Sequence, residues 1–574
     1  MPETSRYGAQ PVVLLDGVPL PEELAAIIED VVVDTCTHVP DMVQVSFRDE
    51  ARDVLQRLGV GIGSTLVVTA TRLGDGTQHE LVRAEITALE RDLGRHGCTA
   101  VVRGYDRSHR MSRGRRTASY NDVTDADVVR QVARRAGVPV GRVDETLTVH
   151  PHLSQVNATD WEFLRARARE TGHEVAVVAG VLQWRRPTRC ADAPEPPAAV
   201  DDEPQPLQLS AGDNLVSFRP RVTCGTQVDG VTVRSWDPET KTTVLGRSTA
   251  STVAAAVALT PGQLAAASGS AQHVCVNRPV ASQPEADATA AALAEHLASA
   301  HAEADGVAVG DPRLRAGTAV SVGHAGWPFD GRYTLTTARH VYDRAGYHTA
   351  IGVSGGHDRS LLGLTGTTPR EQPVPGVVPA LVTAVDDPQL QGRVKLQLPW
   401  LADDYETWWV RVVQLGAGSG RGAVWLPEVG DEVLVAFEHG DPRRPYVVGS
   451  LYNGVDLPCL GEGLVDGASG AVRRRGFVSR KGHRLVFLDD DRPSGVALLS
   501  SDGALRVALK ESDTTIAITA DGNVVITGSR EVKVVSDGAV SIEAGTTLTL
   551  KGSGGVTIDG GPQVALSGGV IALN

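Results

Sequence analysis

The chain has 574 residues, a formal net charge of −14, 62 glycines and only 4% aromatic residues. That length implies several domains, the acidic balance argues against a nucleic-acid binder, and so Gly-rich a composition fits an extended, strand-rich assembly better than one large core. Six cysteines stand far apart with no C-x-x-C pair, so neither a zinc site nor a disulfide framework is expected, and buried reduced thiols are.

In chain order, residues 1–11 have no apolar run of the signal-peptide kind, and the Ala-rich stretch 253–267 is broken by Pro261 and Gly262. Neither a signal peptide nor a membrane span is predicted, and assembly in the cytoplasm is expected. An internal duplication follows. GSTLVV from Gly63 is echoed by GTAVSV from Gly317, Ile86-Thr-Ala by Leu335-Thr-Thr, and each copy closes on Asp-Arg-Ser, at Asp106 and again at Asp358. The copies predict two related β-barrels.

Helical signals lie between them. Thr124 reads as an N-cap followed by acids and ending at Gly137; Thr159 opens a second helix that ends at Gly172; residues 285–304 predict an Ala-rich amphipathic helix with Leu293 and Leu297 on one face. Pro-rich stretches at 187–206 and 365–379 read as exposed linkers or loops, and residues 378–452 alternate short strands with Gly, Pro and Asp turns like a small closed barrel.

The C-terminal pattern is the most regular. Pairs of aliphatic residues, one apart, recur every eight positions: Ile516/Ile518, Val524/Ile526, Val532/Val534, Val540/Ile542, Leu548/Leu550, Val556/Ile558 and Val564/Leu566. Alternation within each pair is the period of a strand with one buried face, and the Gly-rich spacers are expected to supply turns with positive φ. A strand this short cannot bury its own apolar side, so the stripe must stack on something, and these pairs are expected to form the core of a stiff strand-and-turn rod. A single-chain solenoid usually needs several inward positions per coil, whereas a stripe one pair wide suits identical chains wound about one axis.

Several longer motifs resemble the VgrG-type spike proteins of contractile injection systems, which are related to contractile-phage hub and needle proteins. Residues 102–117 (VRGYDRSHRMSRGRRT) and 160–172 (DWEFLRARARETG) look like that family's hub. Residues 392–400 (GRVKLQLPW), 427–442 (PEVGDEVLVAFEHGDP) and 449–454 (GSLYNG) resemble its OB-fold, and 480–485 (RKGHRL) its neck. The resemblance implies a mainly β homotrimer with a few helices: two tube-like barrels, an OB-fold barrel and a triple-stranded β-helix needle. The layout it implies is hub 1–190 with a helical insert, linker 191–206, second barrel 207–370, OB-fold 371–460, neck 461–510 and needle 511–574.

The implied function is mechanical. The trimer would cap the inner tube, adapt six-fold to three-fold symmetry, contact baseplate components at the hub and puncture an envelope. It would seat a PAAR-type tip protein at Val570, Ile571, Leu573 and Asn574, carry effector cargo, and be exported or released on firing. A prophage tail spike, or an effector enzyme fused to a spike scaffold, are the alternatives. The particle subtype, cargo and target cell are not written in the residues.

Enzyme motifs are weak. Residues 352–356 match G-x-S-x-G, but glycines and then Asp358-Arg-Ser, not a helix, follow Ser354. The Gly-rich loop 416–422 lacks the G-K-[ST] ending and predicts a hairpin; His150-Pro-His152 lacks a further ligand and reads as a surface loop. Arg473–Arg475 reads as a solvated neck patch, and Asp489–Asp491 as a polar turn rather than a Ca²⁺ loop. No catalytic residue, cofactor, metal or nucleic-acid partner is expected.

Overall fold

The computed structural model describes residues 9–72, 76–95, 97–146, 148–197, 205–280, 282–360, 376–461 and 463–572, so Leu573, Asn574, most of the second Pro-rich stretch and part of the first lie outside the described residues. The fold is mainly β with a few helices. It forms two compact units that divide between Asn453 and Gly454.

In the first unit the duplication is expressed in strand pairing. The first copy contains β1 (Ile28–Cys36), β2 (Met42–Arg48), β3 (Thr65–Arg72), β4 (Gln78–Gly94) and β5 (Gly97–Tyr105), joined in the order β1-β2-β5-β4-β3. An insert follows: β6 (Arg116–Val123), α1 (Asp125–Ala136), β7 (His150–Ala158) and α2 (Asp160–Thr171). The second copy contains β8 (Leu215–Val222), then β9 (Thr242–Thr249) and α3 (Gln283–Ser299), and then β10 (Ala302–Val309), β11 (Ala319–Gly323), β12 (Gly331–Thr334), β13 (Thr337–Asp343) and β14 (Gly346–Val353). Here β8 pairs with β10, β10 with β14, β14 with β13 and β12 with β11, so β12 and β13 together take the place of the long β4.

Two backbone hydrogen bonds repeat. Gly63 donates to the Ile86 carbonyl and Ile86 to the Ser64 carbonyl; Gly317 donates to the Leu335 carbonyl and Leu335 to the Thr318 carbonyl. The copies do not stand apart, because β13 pairs with β1, Val341 opposite Val32, and one eleven-stranded sheet runs through both. Each copy keeps its own core, around Val33, Phe47 and Leu66 in the first and Leu215, Tyr333 and Leu335 in the second.

Both insert helices begin as their caps dictate. Thr124 with Asp127, and Thr159 with Glu162, form reciprocal capping boxes, and Gly137 and Gly172 end the helices in the left-handed region at φ 68° and 67°. The third helix stops earlier than expected. Ala302 and Ala304 belong instead to β10 and are buried in the second copy's core, since alanine fits either environment. The first Pro-rich stretch is not a free linker over its described part: Cys190 and Ala193 are buried, and the Thr188 carbonyl accepts from Thr334 Oγ1 at 3.0 Å.

The first unit ends in a ring. Its strands β15 (Val377–Ala384), β16 (Lys395–Gln397), β17 (Arg411–Val412), β18 (Glu432–Phe437) and β19 (Pro445–Ser450) pair in the order β16-β15-β18-β19-β17. Val394 and Val410 exchange both backbone hydrogen bonds, at 2.9 and 2.7 Å, and so join the two ends around a core of Val382, Leu396, Val433 and Val447.

Candidate functional site

The second unit opens with five consecutive antiparallel strands, β20 (Arg474–Val478), β21 (Arg484–Asp489), β22 (Ser494–Leu499), β23 (Leu505–Lys510) and β24 (Thr515–Ala520). Directly opposed residues share a face. One face carries Val486, Ala497 and Ala508, mutually opposed and buried. The other carries Phe477, Leu498, Val507 and Ile518 in one row and Phe487, Leu509 and Ile516 in the next, all exposed. The first octad pair, Ile516/Ile518, therefore sits on the last strand of this sheet.

From there the chain bends every eight residues, at 521–522, 529–530, 537–538, 545–546 and 553–554, and turns at 561–562, running extended between. The octad aliphatics, expected as a buried core, are not buried within one chain. Ile516 and Ile518 are 71% and 61% exposed, and Val524, Ile526, Val532, Val534, Val540, Ile542, Leu548, Leu550, Val556, Ile558, Val564 and Leu566 are 52–75% exposed. The reason is geometric: a single extended strand brings no second layer of its own chain over its apolar side. Within each of these later pairs the second member, Ile526, Val534, Ile542, Leu550, Ile558 or Leu566, is the more exposed.

Among the described residues of 522–572 the only backbone hydrogen bonds close turns, Gly555 to the Gly552 carbonyl and Gln563 to the Gly560 carbonyl. The backbone there is extended with both edges unpaired among the described residues, and its aliphatic stripe is uncovered within the single chain. Of the spacer glycines only Gly555 and Gly561 adopt the positive φ expected of them. Others are needed for space: a Cβ at Gly528, Gly552 or Gly560, which share one octad position, would come within 2.3–2.6 Å of the carbonyl oxygen three residues on.

In the first unit, polar contacts tie the ring to the insert. Tyr405 Oη lies 3.0 Å from Ser154 Oγ, and the His152 ring stacks on Trp408 at 6.3 Å between centroids. Burial, and then Lys395, push His152 down to about 4.

A second link is charged. Arg443 reaches Glu170 at 3.3 Å, Glu170 pairs with Arg167, and Arg167 Nε donates to Asp125 at 2.7 Å, with His150 3.0 Å from the same carboxylate. Burial alone would raise Asp125, but His150 and the Arg167 guanidinium hold it below the usual carboxylate range. The two histidines of the His150-Pro-His152 motif thus lie on a strand and make structural contacts, not in a surface loop. No sequence signal pointed to this network, whose members are as far apart as residues 170 and 443.

Ser354 is buried, donates to the His357 carbonyl at 2.7 Å and lies 3.1 Å from Thr336 Oγ1, while the His357 ring is held at the His296 carbonyl. This is a loop clamp, not a nucleophile and its base. The Gly-rich loop forms a small hairpin, Ala417–Gly418 against Arg421–Gly422. In the Arg473–Arg475 run, Arg473 pairs with Asp466 and Asp490 and Arg475 with Asp489, while Arg474 donates to the Leu460 carbonyl at 3.5 Å. Of the cysteines, Cys224 and Cys459 are exposed rather than buried. Among the described residues no three His, Cys, Asp or Glu side chains are grouped to hold a metal, and no helix is long and apolar enough to cross a membrane.

Residues 378–452, the closed ring, match the family described as the Type VI secretion system/phage-baseplate injector OB domain. Residues 93–343 match one described as the Alg8 N-terminal domain, a span that starts inside β4 and ends with β13, cutting across both copies. The chain is 32% identical over 139 residues to the type VI secretion system spike protein VgrG3 of Vibrio cholerae, covering 24% of this chain and 13% of that protein. It is 35% identical over 98 residues to the actin cross-linking toxin VgrG1 of the same species, 15% of this chain and 9% of that protein. It thus spans only a small part of the length of these curated relatives. The solved structure of a Francisella PdpA-VgrG complex shares the fold over 90% of this chain and 81% of that one, with a TM-score of 0.54 at 7% identity. The chain is accordingly similar, over part of its length, to VgrG spike proteins of type VI secretion systems, and its residues 378–452 match an injector OB domain of the kind named for those systems and for phage baseplates.

Proposed function

We propose that this chain is the non-enzymatic, homotrimeric spike of a contractile, phage-tail-like injection system. The observation that carries the reading is the octad run, extended, unpaired on both backbone edges and striped with uncovered aliphatics. One partner strand satisfies one edge; a closed ring satisfies both, and three copies make the smallest such ring. Burying each aliphatic side chain stabilises by about 1.5–3 kcal/mol, so the stripe favours a stiff needle of several chains over a free tail. In such a needle the outermost members of the pairs, Ile526, Val534, Ile542, Leu550, Ile558 and Leu566, are the ones that the neighbouring chains cover. The exposed apolar face of β20–β24 continues the same stripe and is covered by the same neighbours.

Two copies with one pairing order in each of three chains provide six quasi-equivalent, tube-like barrels to meet a six-fold inner tube and the baseplate. At the far end Val570 and Ile571, both exposed, offer an apolar seat for a PAAR-type tip protein, through which effector cargo is carried. The test is electron microscopy of sheath-and-tube particles from cells producing the intact chain or one lacking residues 521–574. A terminal spike should be present with the first and absent with the second; particles unchanged by the truncation would refute the reading.

A further inference from the structure

A pocket of about 700 Å³ opens in the first unit where the turn after β5, the start of β6 and the end of α1 converge. Residues 103–116 hold six arginines, and three of them, Arg110, Arg113 and Arg116, line this pocket together with Arg135 of α1. Against these four cations the wall sets two carboxylates, Glu85 and Asp160, and both are already shared. Glu85 meets Arg110 at 2.5 Å and, from outside the wall, Arg107 at 3.5 Å; Asp160 meets Arg135 at 2.6 Å and Arg116 at 3.3 Å. The side chain of Arg113 has no hydrogen-bond or ion-pair partner among the described residues. With His109 counted as neutral, four arginines over two carboxylates leave the wall an excess of two positive charges. Thr87, where the β4 register shifts between Ile86 and Ala88, adds a hydroxyl that likewise has no partner among the described residues. Guanidiniums that outnumber their carboxylates in a concave site, beside a free hydroxyl, lack an anion.

We propose that this pocket binds a small phosphate ester, whose phosphoryl group is held chiefly by Arg113 and Arg116. The size fits a small molecule, since such pockets span roughly 300–1,000 Å³. The direction of the donors favours phosphate over carboxylate. A carboxylate is served by one planar fork, whereas a phosphoryl group offers three acceptor oxygens in different directions, and these arginines arrive from three separate elements. The excess of two charges matches the dianion that a phosphate monoester carries near neutral pH. Ile62, 65% exposed at the edge of the pocket, gives an apolar surface for the organic part of the ester. The pocket lies wholly within the first unit, so the inference does not depend on the needle.

The test is isothermal titration of the full-length protein with pyrophosphate at low salt, where one site per chain is expected. Arg113→Gln and Arg116→Gln should each weaken binding about tenfold, the scale of one charge-assisted contact. Arg247→Gln, which removes the same charge from an exposed position on β9 outside the pocket, should leave it within about twofold. Arg113 is exposed and ties down no other side chain, so its variant keeps the test valid if the Arg116 variant fails to fold. The proposal is overturned by no binding at all, or by equal effects of the three substitutions. It is overturned too if malonate displaces pyrophosphate as well as inorganic phosphate does, which would make the site one for carboxylates. Arg113-dependent binding to phosphatidic acid vesicles without binding of pyrophosphate would also overturn it, since the occupant would then be a membrane surface.

Discussion

Tyr405 Oη lies 3.0 Å from Ser154 Oγ, and both side chains are buried, so a hydroxyl pair joins the OB ring to an insert strand 251 residues earlier. Tyr405→Phe leaves the ring packing in place and removes the hydroxyl contact to Ser154. The expected cost is about 0.5–1.5 kcal/mol, read as a lower urea midpoint at unchanged slope.

Acid should weaken the first unit. Burial holds His38, His152 and His296 down to about 4 and His340 to about 3, from an ordinary value of 6.5. Each is neutral in the fold and takes a proton on unfolding, so its contribution is complete above 6.5 and is lost as pH falls towards 4, by about 1.4 kcal/mol per pH unit in that window. Burial raises Asp41 and Asp106, the latter to about 6, and these oppose the trend because the folded chain keeps their protons. With His173 and His301 also held down, the histidines outnumber the raised carboxylates even with Asp34, Glu174 and Glu295 included, and the melting temperature should fall between pH 7 and pH 5; a flat profile would contradict the assignment.

Ile542 is 68% exposed in the single chain, so Ile542→Asp should not disturb a chain on its own. In a closed needle it places an unpaired charge in each of three adjacent strands. The expected outcome is loss of the SDS-resistant oligomer on unheated gels, with the circular dichroism of the first unit intact.

Gly246, on β9, faces α3 so closely that a Cβ would lie 2.1 Å from the Ala286 carbonyl oxygen. Gly246→Ala must push the helix off its sheet, at about 1–3 kcal/mol, measurable by chemical denaturation.

Signals that are local were legible in the sequence. Thr124 and Thr159 cap helices because the cap and its N3 acid are three residues apart, and the octads show because each strand and bend fits within eight residues. The duplication was legible through short echoes such as Gly63 and Gly317, which make the same backbone bonds. What depends on distant partners was not: the Asp125–Arg167–Glu170–Arg443 chain, and the fusion of both copies into one sheet through Val32 and Val341. Alanine misled at the end of α3, where burial in a strand and helical periodicity look alike. Glycine misled in the octad run, where Gly552 and Gly560 serve close approach rather than positive φ. The aliphatic pairs announced an apolar face at the right period, yet residues such as Val534 and Ile558 stay exposed in one chain, because period records which side is apolar and not what covers it.

Native mass spectrometry of the full-length chain tests the central claim most directly. The account expects one dominant species of three chains, each of 60.4 kDa, that loses its trimeric state when residues 521–574 are removed. A clean 60.4 kDa monomer from the intact chain would contradict the intertwined needle and return the octads to a single-chain solenoid.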